Sequence, residues 1–286
     1  MPREALDLTR PTTVRAVARR AGIHPSKRLG QHFLIDRDVL EAIVAALHAS
    51  NADSVLEVGC GIGTLTGELA AVAGRVVAVD VDSRCVVATR ITQRQRANVE
   101  VLEQDAVRIV PEHLGLRGRW LAAGNLPYHL TGPILSHLYE LLAPPAAGVF
   151  LVQREVAARL SASGSEWSLA TVALRTIADC ERLLDVPPSA FEPAPAVHSS
   201  VIRLTPSRQM DETDRGAVIR LARPVFQQRR KTIRHGVAGA LGGDAAAARA
   251  VLEAAAIDDR RRPGTLDLDE WRRLALAVSR VRQRPG

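Results

Sequence analysis

The chain has 286 residues, 47% of them hydrophobic, with a formal charge of +7 at pH 7 and three cysteines. That length allows one large domain or one large plus one small, and no apolar run reaches the roughly 18 residues of a membrane span. Cys60, Cys85 and Cys180 are too few and too scattered for a disulfide framework or a cysteine-based zinc site, and the eight histidines show no HExxH-like spacing, so no metal is expected. A reduced, cytoplasmic setting is the expectation, with no apolar secretory segment in MPREALDLTRPTTVRAVARR.

In chain order, residues 12–22 (TTVRAVARRAG) pattern as a short amphipathic helix ending at a glycine. RLGQHFLID (28–36) reads as a loop leading into a helix, DVLEAIVAALHAS. SVLEVGCGIGTLTGELAAVA (54–73) reads as an apolar strand, a glycine-rich turn and a helix. RVVAVDVD (75–82) and NVEVLEQDAV (98–107) are strands ending in acids, RWLAAGNLPY (119–128) is a fourth strand, and GVFLVQREVAARL (148–160) a fifth running into a helix. PPSAFEPAPAVHSSVIRLTP (187–206) is a proline-stiffened segment before a β-branched strand that closes the sheet. Beyond Pro206 the pattern turns to Ala- and Arg-rich helix. The expected fold is therefore α/β: a mostly parallel, Rossmann-like sheet covered by helices on both faces, spanning 1–206, followed by a small all-α domain over 207–286.

Charge is distributed unevenly. Residues 206–286 hold 17 Arg or Lys against 10 Asp or Glu, residues 1–28 hold 7 against 2, and residues 29–205 hold 14 against 19. High-GC codon bias accounts for 36 of the 38 basic residues being Arg, but not for their clustering at the two ends. Basic flanks around a slightly acidic middle suit small-molecule chemistry beside surfaces that hold a polyanion.

The polar residues of the middle fall at strand ends, where open α/β sheets bind ligands. Glu57-Val58-Gly59-Cys60-Gly61-Ile62-Gly63 joins a strand to a helix, and its glycines let backbone approach a ligand closely. Asp80 ends the next strand and can take both hydroxyls of a ribose, or cap a helix. Asp105 can accept the exocyclic amine of an adenine; taken singly, an N-cap explains it better. Together with Asn125 at a fourth strand end they indicate a nucleoside-bearing cofactor. The turn reads ExGxGxG rather than GxGxxG, and the only lysines are Lys27 and Lys231, so no Walker-type lysine exists. That favours S-adenosylmethionine over NAD or ATP.

Asn125-Leu126-Pro127-Tyr128 resembles the motif of methyltransferases acting on the exocyclic nitrogen of adenine. That nitrogen is a poor nucleophile because its lone pair is delocalised into the ring. The Asn125 side-chain oxygen and the backbone carbonyl of Leu126 or Pro127 can accept its two N–H groups and aim the lone pair at a methyl. Proline stiffens the turn, and the Tyr128 ring, rather than its hydroxyl, is expected to stack on a flipped-out base. No general base is strictly required, because the methylated cation is itself acidic.

Over roughly residues 10–280, PSKRLGQHFLID, VLEVGCGIGTLT, GNLPYHLTGPIL, VQREVAARL, VPPSAFEPAPAVHSSVIRL and FQQRRKTIRHGV resemble, in order and spacing, segments of the bacterial 16S ribosomal RNA adenine dimethyltransferases. The resemblance implies that His32 and Leu34 line the methionine end of S-adenosylmethionine, that Gly59 and Gly61 form its turn, that Asp80 takes the ribose where the family usually has Glu, and that Asp105 reads the cofactor's adenine. It sets Asn125 between cofactor and target, and Tyr128 and Phe191 on either side of the target adenine. Gly59-Cys60-Gly61 stands where the family's turn usually has proline in the middle. Pro193-Ala194-Pro195-Ala196-Val197-His198-Ser199 lacks a usual lysine and acid, which puts in question any rRNA contact made there.

Read as one helix at about 100° per residue, RPVFQQRRKTIRHGV (223–237) brings Phe226, Ile233 and Val237 together on one side. Arg223, Arg230 and Arg234 fall on another, with Lys231 nearby, as a phosphate-gripping face or an ordinary solvated one. The implied domains are thus an S-adenosylmethionine-dependent methyltransferase domain over 1–206, carrying a basic extension 1–28, and a helical RNA-binding domain over 207–286. The implied substrate is 16S rRNA in an immature small ribosomal subunit, modified by a monomer without membrane attachment. A 23S rRNA adenine methyltransferase conferring macrolide-type resistance would share the sheet, turn and NLPY. A ribosome assembly factor whose methylation is dispensable is the alternative from a different class. A small-molecule methyltransferase leaves the basic ends unexplained.

Overall fold

The computed structural model describes residues 6–23, 31–161, 167–207 and 210–282. The first half of PSKRLGQHFLID and part of the basic extension lie outside the described residues. The chain divides into two compact units, Met1–Ala157 with Cys180–Pro206, and Ala158–Asp179 with Ser207–Gly286. Residues 158–179, which the sequence reading keeps with the first domain, thus group with the second unit. They do so because Trp167 and Val172 bury their side chains in the helical core.

In the first unit, α1 (Pro11–Arg20), β1 (Phe33–Leu34) and α2 (Arg37–Leu47) precede the alternating run β2 (Ser54–Val58), α3 (Thr64–Val72), β3 (Arg75–Asp80), α4 (Ser83–Thr92), β4 (Val99–Glu103), β5 (Trp120–Asn125), α5 (Thr131–Glu140), β6 (Ala147–Gln153) and α6 (Arg154–Ser161). After α7 (Leu169–Arg175) come β7 (Ala178–Val186), β8 (Phe191–Glu192) and β9 (Ser199–Pro206). Seven strands form one sheet in the order β4-β3-β2-β5-β6-β9-β7. The β4 to β6 neighbours are parallel, and β9 runs antiparallel to β6 with Phe150 opposite Ile202.

The central strands are near-continuous apolar runs because both faces are covered. Val55, Ala78, Leu121 and Val149 pack with Leu40, Ile43 and Leu47 of α2 and with Leu65 and Leu69 of α3. Each such Val, Leu or Ile side chain contributes about 1.5–3 kcal/mol on burial. The local sequence starts and stops these helices. Asp36 caps α2 by accepting from the Val39 N–H (3.1 Å), and His48 ends it in the left-handed region at φ 51°.

Two strand features escape the sequence reading. β7, ADCERLLDV, carries four charged residues among its nine, as a strand with one sheet neighbour can. β1 and β8 are two residues each and pair antiparallel, Leu34 opposite Phe191 and Phe33 opposite Glu192. That short ladder, 157 positions apart in the chain, folds the QHFL segment over the end of the sheet.

The second unit holds α8 (Glu212–Gln227), α9 (Ile233–Ala240), α10 (Ala245–Ala254) and α11 (Leu268–Arg282) with α7. Val218, Leu221, Val225, Ile233, Val237, Val251, Leu252, Trp271 and Leu274 form its core. Phe226 stacks on Trp271 with centroids 5.5 Å apart. The continuous helix expected over 223–237 is broken: α8 stops at Gln227, Lys231 N–H closes a turn on the Gln228 carbonyl (2.8 Å), and α9 starts after Thr232. Phe226, Ile233 and Val237 still share the core, and the Ile233 N–H, at the first position of α9, is satisfied by the Arg261 carbonyl (2.6 Å).

Candidate active site

The carboxyl ends of β2, β3, β4 and β5 open on one cavity of about 230 Å3, lined by residues that include Glu57, Gly59, Gly61, Asp80, Asp105 and Asn125. Its walls are tied together by backbone and side-chain hydrogen bonds. Gly59 and Cys60 N–H both reach the Val79 carbonyl (2.9 and 3.1 Å), tying the glycine turn to β3. From α4, the Thr89, Thr92 and Gln93 side chains donate to the carbonyls of Gly61, Ile62 and Gly63 (3.1, 2.9 and 2.9 Å). The turn is therefore held from both sides, by β3 and by the residues at the end of α4. A side chain at Gly59 would sit 3.3 Å from the Asn125 carbonyl oxygen, and one at Gly61 would sit 3.1 Å from the Phe33 ring. At φ 78° and 58° both positions also favour glycine.

Asp80 accepts from the Gly61 N–H and the Asp82 N–H, each at 3.0 Å. Burial raises its pKa, and those two N–H groups oppose the rise. Asp105 lines the cavity and also caps a short turn, accepting from the Val107 N–H (3.1 Å), with Arg108 at 3.6 Å. Asp105 thus lines the cavity while it caps that turn.

Asn125 donates from Nδ2 to the His32 carbonyl (2.7 Å), which turns its amide oxygen away from that contact. The His32 ring is held in turn: Nδ1 lies 2.8 Å from the Pro193 carbonyl, an acceptor, so Nδ1 carries a proton and donates there. The His32 ring also stacks on Tyr128, centroids 6.0 Å apart and planes at 21°. The Tyr128 hydroxyl meets Ser199 Oγ at 2.7 Å. Burial raises the Tyr128 pKa and the Ser199 contact opposes it. Leu126 is buried, and its N–H bonds the Leu151 carbonyl (3.1 Å). The Pro127 carbonyl already accepts from the Leu130 N–H (2.9 Å) and from Thr131 (3.4 Å). Among the described residues no hydrogen bond reaches the Leu126 carbonyl, but Pro127 lines the cavity and Leu126, 1% exposed, does not.

Leu34 is buried in the core behind this wall and also lines the cavity. Phe191 does not line it. Its ring is 3% exposed and sits in the same core, opposite Leu34 through the β1–β8 pair. A large apolar ring removed from water on a paired strand is stabilised there by roughly 1.5–3 kcal/mol. A place for it against a target base would require the ring to leave that core. The ring beside Tyr128 in this structure is His32. In the second unit, Arg223, Arg230 and Lys231 are exposed, while Arg234 is ion-paired with Asp259 at 3.1 Å.

Sequence reasoning passed over Glu57, Ser199 and the α4 side chains that grip the turn. Only Glu57 left a signal, as an acid inside the otherwise apolar strand SVLEV. Glu57 is 1% exposed, lines the cavity, and its Oε2 has no hydrogen-bond partner. Burial, with a further push from Asp80, raises its pKa to about 8.

A family profile described as ribosomal RNA adenine dimethylase matches residues 24–273. A protein of Desulfitobacterium hafniense named ribosomal RNA small subunit methyltransferase A is 38% identical over 267 residues, covering 91% of this chain and 94% of its own. One of the same name from Pelotomaculum thermopropionicum is 37% identical, covering 93% and 95%. Among solved structures, a dimethyladenosine transferase from Plasmodium falciparum superposes with a TM-score of 0.72 at 24% identity, covering 87% of this chain and 98% of its own. The 23S rRNA methyltransferase ErmE gives 0.70 at 23%, covering 86% and 99%. These two likenesses are of fold.

Proposed function

This chain belongs to the ribosomal RNA adenine dimethylase family, and we propose that it transfers two methyl groups from S-adenosylmethionine to N6 of adenines in small-subunit (16S) rRNA. The observation that carries the reading is the Asn125–Tyr128 segment: Asn125, its amide oriented by His32, and Pro127 line the glycine-turn cavity, and the adjoining Tyr128 ring is anchored by His32 and Ser199.

The cavity's chemistry fits the cofactor. Among the described lining residues are four acids, Glu57, Asp80, Asp82 and Asp105, and no Lys or Arg, in a chain of net charge +7. Such a site favours a ligand carrying positive charge and disfavours pyrophosphate. Asp80 would hold the ribose, Asp105 the adenine, and Gly59 and Gly61 the closely approaching chain of the ligand. When bound, S-adenosylmethionine supplies an electrophilic methyl group on a sulfonium.

The protein's own residues do the positioning. Asn125 Oδ1 and the backbone carbonyl of Leu126 or Pro127 accept the two N6–H groups of the target, which localises its lone pair. Tyr128 holds the base plane by stacking. After one transfer a single N–H remains, and one of the two acceptors suffices to orient the second. The exposed Arg223, Arg230 and Lys231 of the second unit grip RNA phosphate, a contact that positions without reading sequence. Residues 1–206 supply the catalytic domain and 207–286 the RNA-gripping one, with 158–179 joined to it. A substrate of this kind sets the protein in the cytoplasm, acting as a monomer on immature small subunits.

Labelled S-adenosylmethionine incubated with under-methylated small subunits, and separately with naked 23S rRNA, tests this. The expected result is N6,N6-dimethyladenine at mapped positions of 16S rRNA only. Asn125→Ala should lose about 2–4 kcal/mol of transition-state stabilisation, a factor on the order of 30 to 1,000 in rate, while cofactor binding changes little. Label in 23S rRNA instead, or dimethylation by Asn125→Ala at the normal rate, overturns the reading.

A further inference from the structure

Glu57 has no part in the chemistry above, yet it is the most completely buried acid on the cavity. It reaches the cavity from β2 with Oε2 unpartnered. Asp80 from β3, Asp82 and Asp105 beyond the strand ends, the Cys60 and Cys85 thiols, and the imidazoles of His32 and His129 are the other titratable groups among the described residues lining this cavity. No Lys or Arg is among the described lining residues. An ionised Glu57 would be a buried charge beside Asp80 with no cation to balance it and only the Thr66 hydroxyl to favour it, so the carboxyl keeps its proton, in line with its elevated pKa of about 8.

A ligand carrying a permanent cation changes that balance. We infer that Glu57 is a proton-linked counter-ion for the methyl donor: neutral in the empty cavity, it gives its proton to solvent as the donor enters and then carries the compensating negative charge. The O–H bond of the carboxyl breaks, its electron pair stays on the carboxylate, and the proton goes to buffer. The inference rests on the S-adenosylmethionine reading above.

Since binding then selects the deprotonated form, affinity rises with pH below about 8, by up to about tenfold per unit, and levels off above it. At pH 7 about nine-tenths of the empty protein carries the proton, so about one proton is released per donor bound.

Titration calorimetry of S-adenosylmethionine into the full chain at pH 7, in phosphate and in Tris, reads this directly, because the apparent enthalpies differ by the protons released times the difference in buffer ionisation enthalpy. The expected outcome is a release of close to one proton and an affinity that climbs from pH 6 to 8. Glu57→Gln, which keeps the shape of the neutral carboxyl, should bind without proton release and with affinity flat over that range. The melting temperature of the empty variant near pH 7.5 should equal or exceed that of the unsubstituted protein, because the variant no longer buries an acid. Equal enthalpies in both buffers, or the same release in Glu57→Gln, overturns the inference even though the donor binds. No heat and no melting shift with the donor would instead overturn the cofactor assignment.

Discussion

Tyr128→Phe removes one oxygen and leaves the ring. A stacking role alone predicts almost no effect. The structure predicts more, because the Tyr128 hydroxyl is 2.7 Å from Ser199 Oγ and the Ser199 side chain is fully buried at 0% exposure. The phenylalanine keeps its contact with His32, an aromatic pair worth about 0.5–1.5 kcal/mol. It strands the Ser199 hydroxyl, and a buried polar group left without its partner costs about 1–3 kcal/mol. For a domain of this size that lowers the melting temperature by about 2–4 °C per kcal/mol. If about 1–2 kcal/mol of the loss appears as a looser ring at the target, single-turnover methylation slows by a factor of about 5–30. Removing both partners should be milder than removing one, so Ser199→Ala in the Tyr128→Phe background should recover much of the stability. Thermal melts and single-turnover assays on under-methylated small subunits, arranged as a double-mutant cycle, measure this. A Tyr128→Phe protein with unchanged melting temperature and rate, or a cycle with zero coupling, would refute the anchoring role of the hydroxyl.

Asp80→Asn keeps the shape of the carboxyl but weakens its bonds to the Gly61 and Asp82 N–H groups. Cofactor affinity should fall by about 1–3 kcal/mol, and calorimetry showing no loss would remove Asp80 from the ribose. Gly124→Ala puts a methyl 2.3 Å from the Val58 carbonyl oxygen, between β5 and β2. It should cost more than about 2 kcal/mol of stability, and an unchanged denaturation midpoint would show that the strands part without penalty. Arg230→Ala and Lys231→Ala should each flatten the salt dependence of RNA binding by about one unit of slope without changing cofactor affinity. Arg234→Ala should change that slope less, since its guanidinium already pairs with Asp259, and equal slope losses at all three positions would contradict that division.

The alternation of elements in the first unit was legible in the chain because it is a local property. SVLEV and RVVAVD are apolar enough to be covered on both faces, and a glycine turn followed by helix-forming residues admits few other structures. The four strand-end positions Gly59, Asp80, Asp105 and Asn125 followed from the same regularity, since a parallel sheet brings the carboxyl ends of its strands to one edge. What the chain withheld depends on partners far along it. His32 meets Asn125 across 93 positions and Pro193 across 161, and only the β1–β8 pair brings them within reach. Phe191 looked free to stack because its neighbours are prolines; the pairing with Leu34 puts it in the core. The helix over 223–237 has a consistent period, yet it breaks after Gln227, and an Arg261 carbonyl satisfies the Ile233 N–H where α9 begins. Glu57 was visible as a letter but not as an acid of raised pKa, because that shift is set by burial and, secondarily, by an Asp80 that another strand delivers. Composition and periodicity are carried by each residue and its near neighbours, so the sequence by itself determined the elements and the motif that face the cavity. Burial, pairing and electrostatics are properties of groups brought together from distant positions, and those only the tertiary structure decided.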